Sequence, residues 1–217
     1  MQDWLVSGCM GRAESLRMAL DELGLIPTAG VAVPVQAFPS SSSYVAVPLG
    51  DAAAPAGGLV FAYLPLPQRS GLPVHVNAAF AVSADRRSLA EPSDDDKAES
   101  RDARWNGALL RDAVTSAYVR LLGDLAALSP ASRPVQLYLL WPRSDHVAAG
   151  CLADLPTSFY RALGGAYDGG QQPALFSDGR RWATVSDSVR NDDLVTYLFS
   201  YLLTAYLQLS SIVPSVL

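Results

Sequence analysis

Arg86 and Arg87 stand side by side in "ADRRSL", where an alternating segment running from Gly71 to Leu89 comes to its end. Guanidinium suits bidentate contact with phosphate or carboxylate, because its planar fork meets two oxygens at once. Two arginines in a polar turn just past a strand are a candidate anion contact. The same residues also fit an ion pair with Asp85 or Glu91, or simple exposure, and surface pairs of that kind contribute little. Other reactive residue types are sparse. His75 and His146 are the two histidines and Cys9 and Cys151 the two cysteines, each isolated in sequence. Zinc takes about four ligands, usually from tight local pairs, so the sequence predicts no metal site. Asp94, Asp95 and Asp96 lack the glycine and the spaced ligands of a cation loop and read as a solvated run. No G-x-x-x-x-G-K-[ST], G-x-G-x-x-G or G-x-S-x-G occurs. His75 has no evident orienting partner for general-base work and reads as a local hydrogen-bonding residue. No catalytic residue is predicted.

The elements that would position these residues follow from periodicity. In "LPVHVNAAFAVS", Val74, Val76, Ala78, Phe80 and Val82 share one face of a strand. His75, Asn77, Ala79 and Ala81 take the other, which lies against a neighbour or solvent. "DWLVSG" reads as a buried strand. Ala13, Leu16, Leu20 and Leu23 trace a helix face stopped by Gly24. "GVAVPV" reads as a strand demoted to an edge by Pro34, Phe38 to Pro55 as mostly loop, and "GGLVFAYLPLP" as a strand ending in a proline-rich turn. "AEPSDDDKAESRDAR" is a solvated loop. Asp102 stands where an N-cap would, before the helix face Leu110, Val114, Ala117, Leu121, Leu125 and Leu128. "PVQLYLLWP" reads as a strand. "LPTSFYRALGG" reads as a helix capped by Thr157 or Ser158 and stopped by Gly164-Gly165. "ALFSDGRRWATVS" reads as a hairpin around Asp178-Gly179, and Asn191 or Asp192 as the cap of a final helix. The alternation is irregular, which predicts α+β: a mixed sheet packed with helices.

At 217 residues the chain suits one large domain or two small ones. We divide it into 1–130 and a C-terminal α+β portion, 131–217, either separate or continuous with the first. Half of it is hydrophobic, only 17% is charged and the net charge is -5, which excludes a non-specific grip on nucleic acid. Two lone cysteines suggest buried, reduced thiols in an intracellular, cytoplasmic protein, with a single disulfide as the alternative. "MQDWLVSGCMGRAESL" lacks the pattern of a signal peptide. Residues 194–217 carry no charge over a length that would cross a bilayer. Thr196, Ser200, Thr204, Gln208, Ser210 and Ser211 recur through them, no basic flank follows, and Pro214 breaks the end. This favours a buried amphipathic helix, with a membrane anchor as the alternative.

Over Gly58 to Leu122 the chain resembles the sacsin family, whose repeats carry a pattern of the form LPLP-x-x-x-G-LPVHVNG-x-FALS-x-NRR-x-L and then WN-x-x-LL. Leu64-Pro65-Leu66-Pro67, Gly71-Leu72-Pro73-Val74-His75-Val76-Asn77, Phe80-Ala81, Ser83, Arg86-Arg87, Leu89, Trp105-Asn106, Leu109-Leu110 and Tyr118 match it. Ala78, Val82 and Asp85 replace a glycine, a leucine and an asparagine. In that family each repeat opens with an Hsp90-like ATPase domain of the GHKL type, whose N-E-x-x-D-A and D-x-G-x-G motifs are missing from this chain. The resemblance implies a non-catalytic segment downstream of such a domain, comparable to an Hsp90 middle segment. It implies no cofactor in this chain, with ATP only where an upstream ATPase domain supplies it. Implied partners are other domains of a longer sacsin-like protein or a partner chain, with client proteins besides. By analogy with the phosphate-reaching arginine of Hsp90 middle segments, it offers Arg86 or Arg87 for a γ-phosphate. The alternative is a clamp between the arginine pair and the Trp105-Asn106 helix start. A stand-alone enzyme and a membrane-anchored protein are the competing readings.

Overall fold

A computed structural model of the chain describes residues 2–20, 25–37, 43–50, 57–91, 100–132, 135–166, 172–177 and 179–186. Asp3–Met10 (β1) and Thr28–Ala37 (β2) pair antiparallel on either side of the short helix Glu14–Met18 (α1). Tyr44–Ala46 (β3) adds to the far end of β2. Leu59–Ala62 (β4) and Leu64–Arg69 (β5) pair antiparallel, and His75–Ala78 (β6) inserts between β2 and β4. β6 runs antiparallel to β2 and parallel to β4, so the sheet, ordered β1-β2-β6-β4-β5, is mixed. Its period-two pattern places Val31, Val33, Val60, Val74 and Val76 on one face, all fully buried.

That face is covered by one long helical rod. Arg101–Leu109 (α2) passes through a π turn, Leu110–Val114, into Thr115–Leu128 (α3), and α3 lies against β1, β2 and β3. Thr115 Oγ1 donates to the Leu110 carbonyl five residues back at 2.8 Å, which occupies the wide turn. Val135–Tyr138 (α4), the 3-10 turn Cys151–Asp154, Leu155–Arg161 (α5) and the hairpin Phe176–Ser177 (β7) with Trp182–Ala183 (β8) complete the described chain. Leu137, Leu140, Leu152, Phe159 and Leu175 share one core with the sheet and the rod. The fold is α+β.

Several local expectations are corrected. β1 is an edge strand with Trp4, Val6 and Met10 exposed, and the buried side of α1 is Ser15, Met18 and Ala19 while Leu20 is exposed. Pro34 lies in an interior strand. Its carbonyl accepts from Val47 N at 2.8 Å, so its missing N–H falls just past the last β6 partner, Ala32, where pairing ends. The LPLP segment is strand β5, tolerated because β5 is an edge. The chain reverses before it at Tyr63, with φ at 62°. The loop predicted from Phe38 to Pro55 contains β3. Ser100, not Asp102, caps α2, its Oγ accepting from Ala103 N at 3.2 Å. "PVQLYLLWP" forms helical turns, with Leu137 and Leu140 buried and Leu139 exposed, a spacing of three rather than two. α5 begins before Thr157 and Ser158, out of the preceding 3-10 turn. Cys9 and Cys151 are free and only half-buried. The acidic run, the Asn191/Asp192 cap and residues 194–217 lie outside the described residues. Among the described residues no helix is long and apolar enough to cross a membrane.

Candidate functional site: a gripped arginine hairpin

The segment after β6 folds back on itself. Val82 bridges Leu89, Ser83 N donates to Ser88 O at 2.9 Å, and Ala90 N donates to Ala81 O at 3.1 Å. Residues 81–90 are thus a short hairpin with Arg86 and Arg87 at its tip. The tip is tied internally: Arg86 N donates to Ser83 O at 2.8 Å, and Asp85 Oδ1 accepts from Ser83 Oγ at 2.7 Å and Arg87 N at 3.1 Å. The Ser83 hydroxyl, then the Arg87 N–H, hold the Asp85 carboxyl below its usual range. Arg86 sits at φ 55°, in the left-handed region, which costs a residue bearing a side chain about 1 kcal/mol.

Two buried residues of α2 hold this segment from beneath, Trp105 bonding just ahead of the hairpin and Asn106 bonding within it. Trp105 Nε1 donates to Ala79 O at 2.7 Å. Asn106 Nδ2 donates to Ala81 O at 2.8 Å and Ala90 O at 3.1 Å, while Ala81 N donates to Asn106 Oδ1 at 2.9 Å. One amide therefore joins both arms. From the β5 side, Gln68 N donates to Arg87 O at 3.2 Å and Gln68 Oε1 accepts from Leu89 N at 2.8 Å. Both guanidinium groups are exposed, and no carboxylate among the described residues forms an ion pair with either. Glu91 is turned elsewhere: its two oxygens accept from Cys151 N at 2.8 and 3.1 Å. The link between this strand end and the Trp105-Asn106 turn runs through backbone groups, not through the guanidiniums.

The other motif residues position this hairpin. Leu72, Val74, Val76 and Phe80 are buried in the core. Pro73 O accepts from Leu49 N at 2.9 Å. Gly71, at φ 71°, lies where a Cβ would overlap the His146 carbonyl. His75 Nδ1 accepts from Leu59 N at 2.8 Å, at the start of β4, and Asn77 Oδ1 from Tyr63 N at 3.1 Å, in the turn just past it. Trp4 stacks on the His75 ring at 5.3 Å and Phe61 meets it edge-on at 5.5 Å. Burial, and next the Arg69 charge, lower the His75 pKa. His146 is remote from His75 in sequence and keeps its Nε2 3.9 Å from Asp145 Oδ2. Burial, and then the Glu91 carboxylate, push the Cys151 thiol up to about 12. Among the described residues no three His, Cys, Asp or Glu gather to hold a metal. Sequence reasoning missed Gln68, although it lies in "LPLPQRSG", between a recognised motif and its glycine.

Comparison with known proteins finds a similar sequence. Human Sacsin is 29% identical over 199 residues, which is 88% of this chain and 4% of that protein. The chain is sacsin-like. No family model matches it, and no solved structure does. This sacsin-like chain spans about one twenty-fifth of the curated relative's length.

Proposed function

We propose that this segment is a non-catalytic module of a sacsin-like, Hsp90-related chaperone, acting in the cytoplasm like an Hsp90 middle segment. In this reading the 81–90 hairpin offers Arg86 or Arg87 to a phosphate held by a separate GHKL-type ATPase domain. One observation carries it: two exposed guanidiniums, without an ion pair among the described residues, on a hairpin gripped by Asn106 on one side and Gln68 on the other, with Trp105 tied just ahead of it at Ala79. A fixed mount suits such a role, because little ordering remains to be done when the anion arrives. An arginine that touches phosphate only in a closed, ATP-bound state biases the equilibrium towards closure, since only that differential contact shifts populations. Clients or neighbouring domains are the partners.

The test uses the longer protein that carries its ATPase domain. Arg86→Ala, Arg87→Ala and the double variant are compared with the parent for ATP turnover. The relay predicts a fall of about tenfold or more in at least one variant, the range of a lost charge-assisted contact. Unchanged turnover in all three removes the relay. Residues 1–217 alone are expected to show no heat of ATP binding, and a micromolar site there would overturn the non-catalytic reading.

A further inference from the structure

β1 ends the sheet, and no described residue pairs with its outer side. The strand is eight residues long, about 27 Å at about 3.4 Å per residue. It carries none of the usual devices that blunt an edge: no proline, no lysine and no bulge, and a single charge, Asp3, at its start. On the face away from the helices it presents Trp4 at 43%, Val6 at 65% and Met10 at 55% exposure, with Gly8 between the last two.

This residue order is self-complementary about a two-fold axis. Antiparallel pairing centred on Ser7 places Leu5 opposite Cys9, Val6 opposite Gly8 and Trp4 opposite Met10. Every pair keeps its members on one face, because their positions have equal parity. The larger Val6 meets the residue without a side chain, and the indole meets a thioether, a favourable contact. Asp3 falls opposite Gly11, so the two acidic groups sit at opposite ends of the joint strand pair.

We propose that β1 is a self-association edge, on which a second copy of this chain pairs antiparallel through Ser7 to extend the sheet across a two-fold axis. A contact of one strand per copy belongs to the small, transient class of interfaces, below about 1,200 Å². Its dissociation constant is therefore expected in the range of about 10–100 μM.

Sedimentation equilibrium of the full 217-residue chain from about 1 to about 300 μM tests it. The expected result is a reversible monomer–dimer equilibrium. Val6→Lys, on an exposed position, brings two like charges close across the axis and should weaken the dimer at least about tenfold. Circular dichroism matching the parent confirms that the variant folds. A milder change, Val6→Thr, should weaken the dimer less than Val6→Lys. A chain that stays monomeric throughout, a dimer indifferent to Val6→Lys, or an assembly that grows beyond two copies would each overturn the proposal.

Discussion

The side-chain amide of Asn106 pairs with the backbone of Ala81 in both directions, its Nδ2 donating at 2.8 Å and its Oδ1 accepting at 2.9 Å. It is also fully buried and reaches Ala90 O. Asn106→Ala leaves one N–H and two carbonyls without this partner, at about 1–3 kcal/mol for a buried unpaired group. A loss of about 2–4 kcal/mol in chemical denaturation is expected, with the Ala81 amide among the sites whose hydrogen exchange quickens most. Exchange at Ala81 unchanged from the parent would mean the grip is not what orders the hairpin.

Arg86 gives a test in which stability and charge separate. At φ 55°, Arg86→Gly removes the guanidinium but relieves a left-handed backbone, and should raise stability by about 0.5–1 kcal/mol. Arg87→Gly, with no such relief, should bring no gain. The comparison needs only denaturant midpoints for the parent and the two variants.

His75 predicts a loss of stability in acid. Its neutral Nδ1 accepts from Leu59 N, and its pKa in the fold lies below the ordinary 6.5. The unfolded chain therefore takes up this proton first as pH falls. The contribution is complete above about 6.5 and is lost as pH falls towards the folded value, with a slope of at most about 1.4 kcal/mol per pH unit. Unfolding free energies at about pH 7.5 and pH 5 should differ more in the parent than in His75→Gln. Parallel falls would clear His75.

Cys151 should be a slow thiol. With its pKa near 12, the thiolate at pH 8 is about one part in ten thousand. Peptide mapping after iodoacetamide treatment of the folded chain should find Cys151 largely unmodified. Glu91→Gln, which removes the neighbouring negative charge, should speed the reaction. Labelling of folded Cys151 as fast as in denaturant would contradict its raised pKa.

What was legible beforehand depended on how far each interaction reaches along the chain. The Val74 and Val76 alternation and the helix face from Leu110 to Leu125 are local patterns that fold as read, whereas Leu128, read on the same face, is exposed at the helix end. "PVQLYLLWP" is a short apolar run that period alone does not assign, and its Leu137–Leu140 spacing mattered only once a core lay beside it. Pro34 looked like an edge marker because its neighbours β6 and β3, which leave a gap at that N–H, lie far away in sequence. The hairpin at 81–90 was visible as a turn carrying two arginines. Its mount was legible only as a clamp to Trp105-Asn106 ascribed to the arginines, because the bonds of Asn106 to Ala81 and of Gln68 to Leu89 are side-chain contacts that no local period encodes. The left-handed Arg86 was equally hidden, since arginine is not a residue type that announces that conformation.

β6 has an order-of-assembly consequence. The pairs β1–β2 and β4–β5 each close between neighbours in sequence, whereas β6 is the strand through which the two join, antiparallel on one side and parallel on the other. During synthesis both pairs leave the ribosome before residues 75–78 do. The two pairs have no strand between them until β6 is in place, so closing the loops back to β2 is expected to be the slow step. The "HVN" of the motif, with His75 docked on Leu59 of β4 and Asn77 on Tyr63 just past it, is thus expected to set the timing of sheet closure as well as to place the arginines that follow.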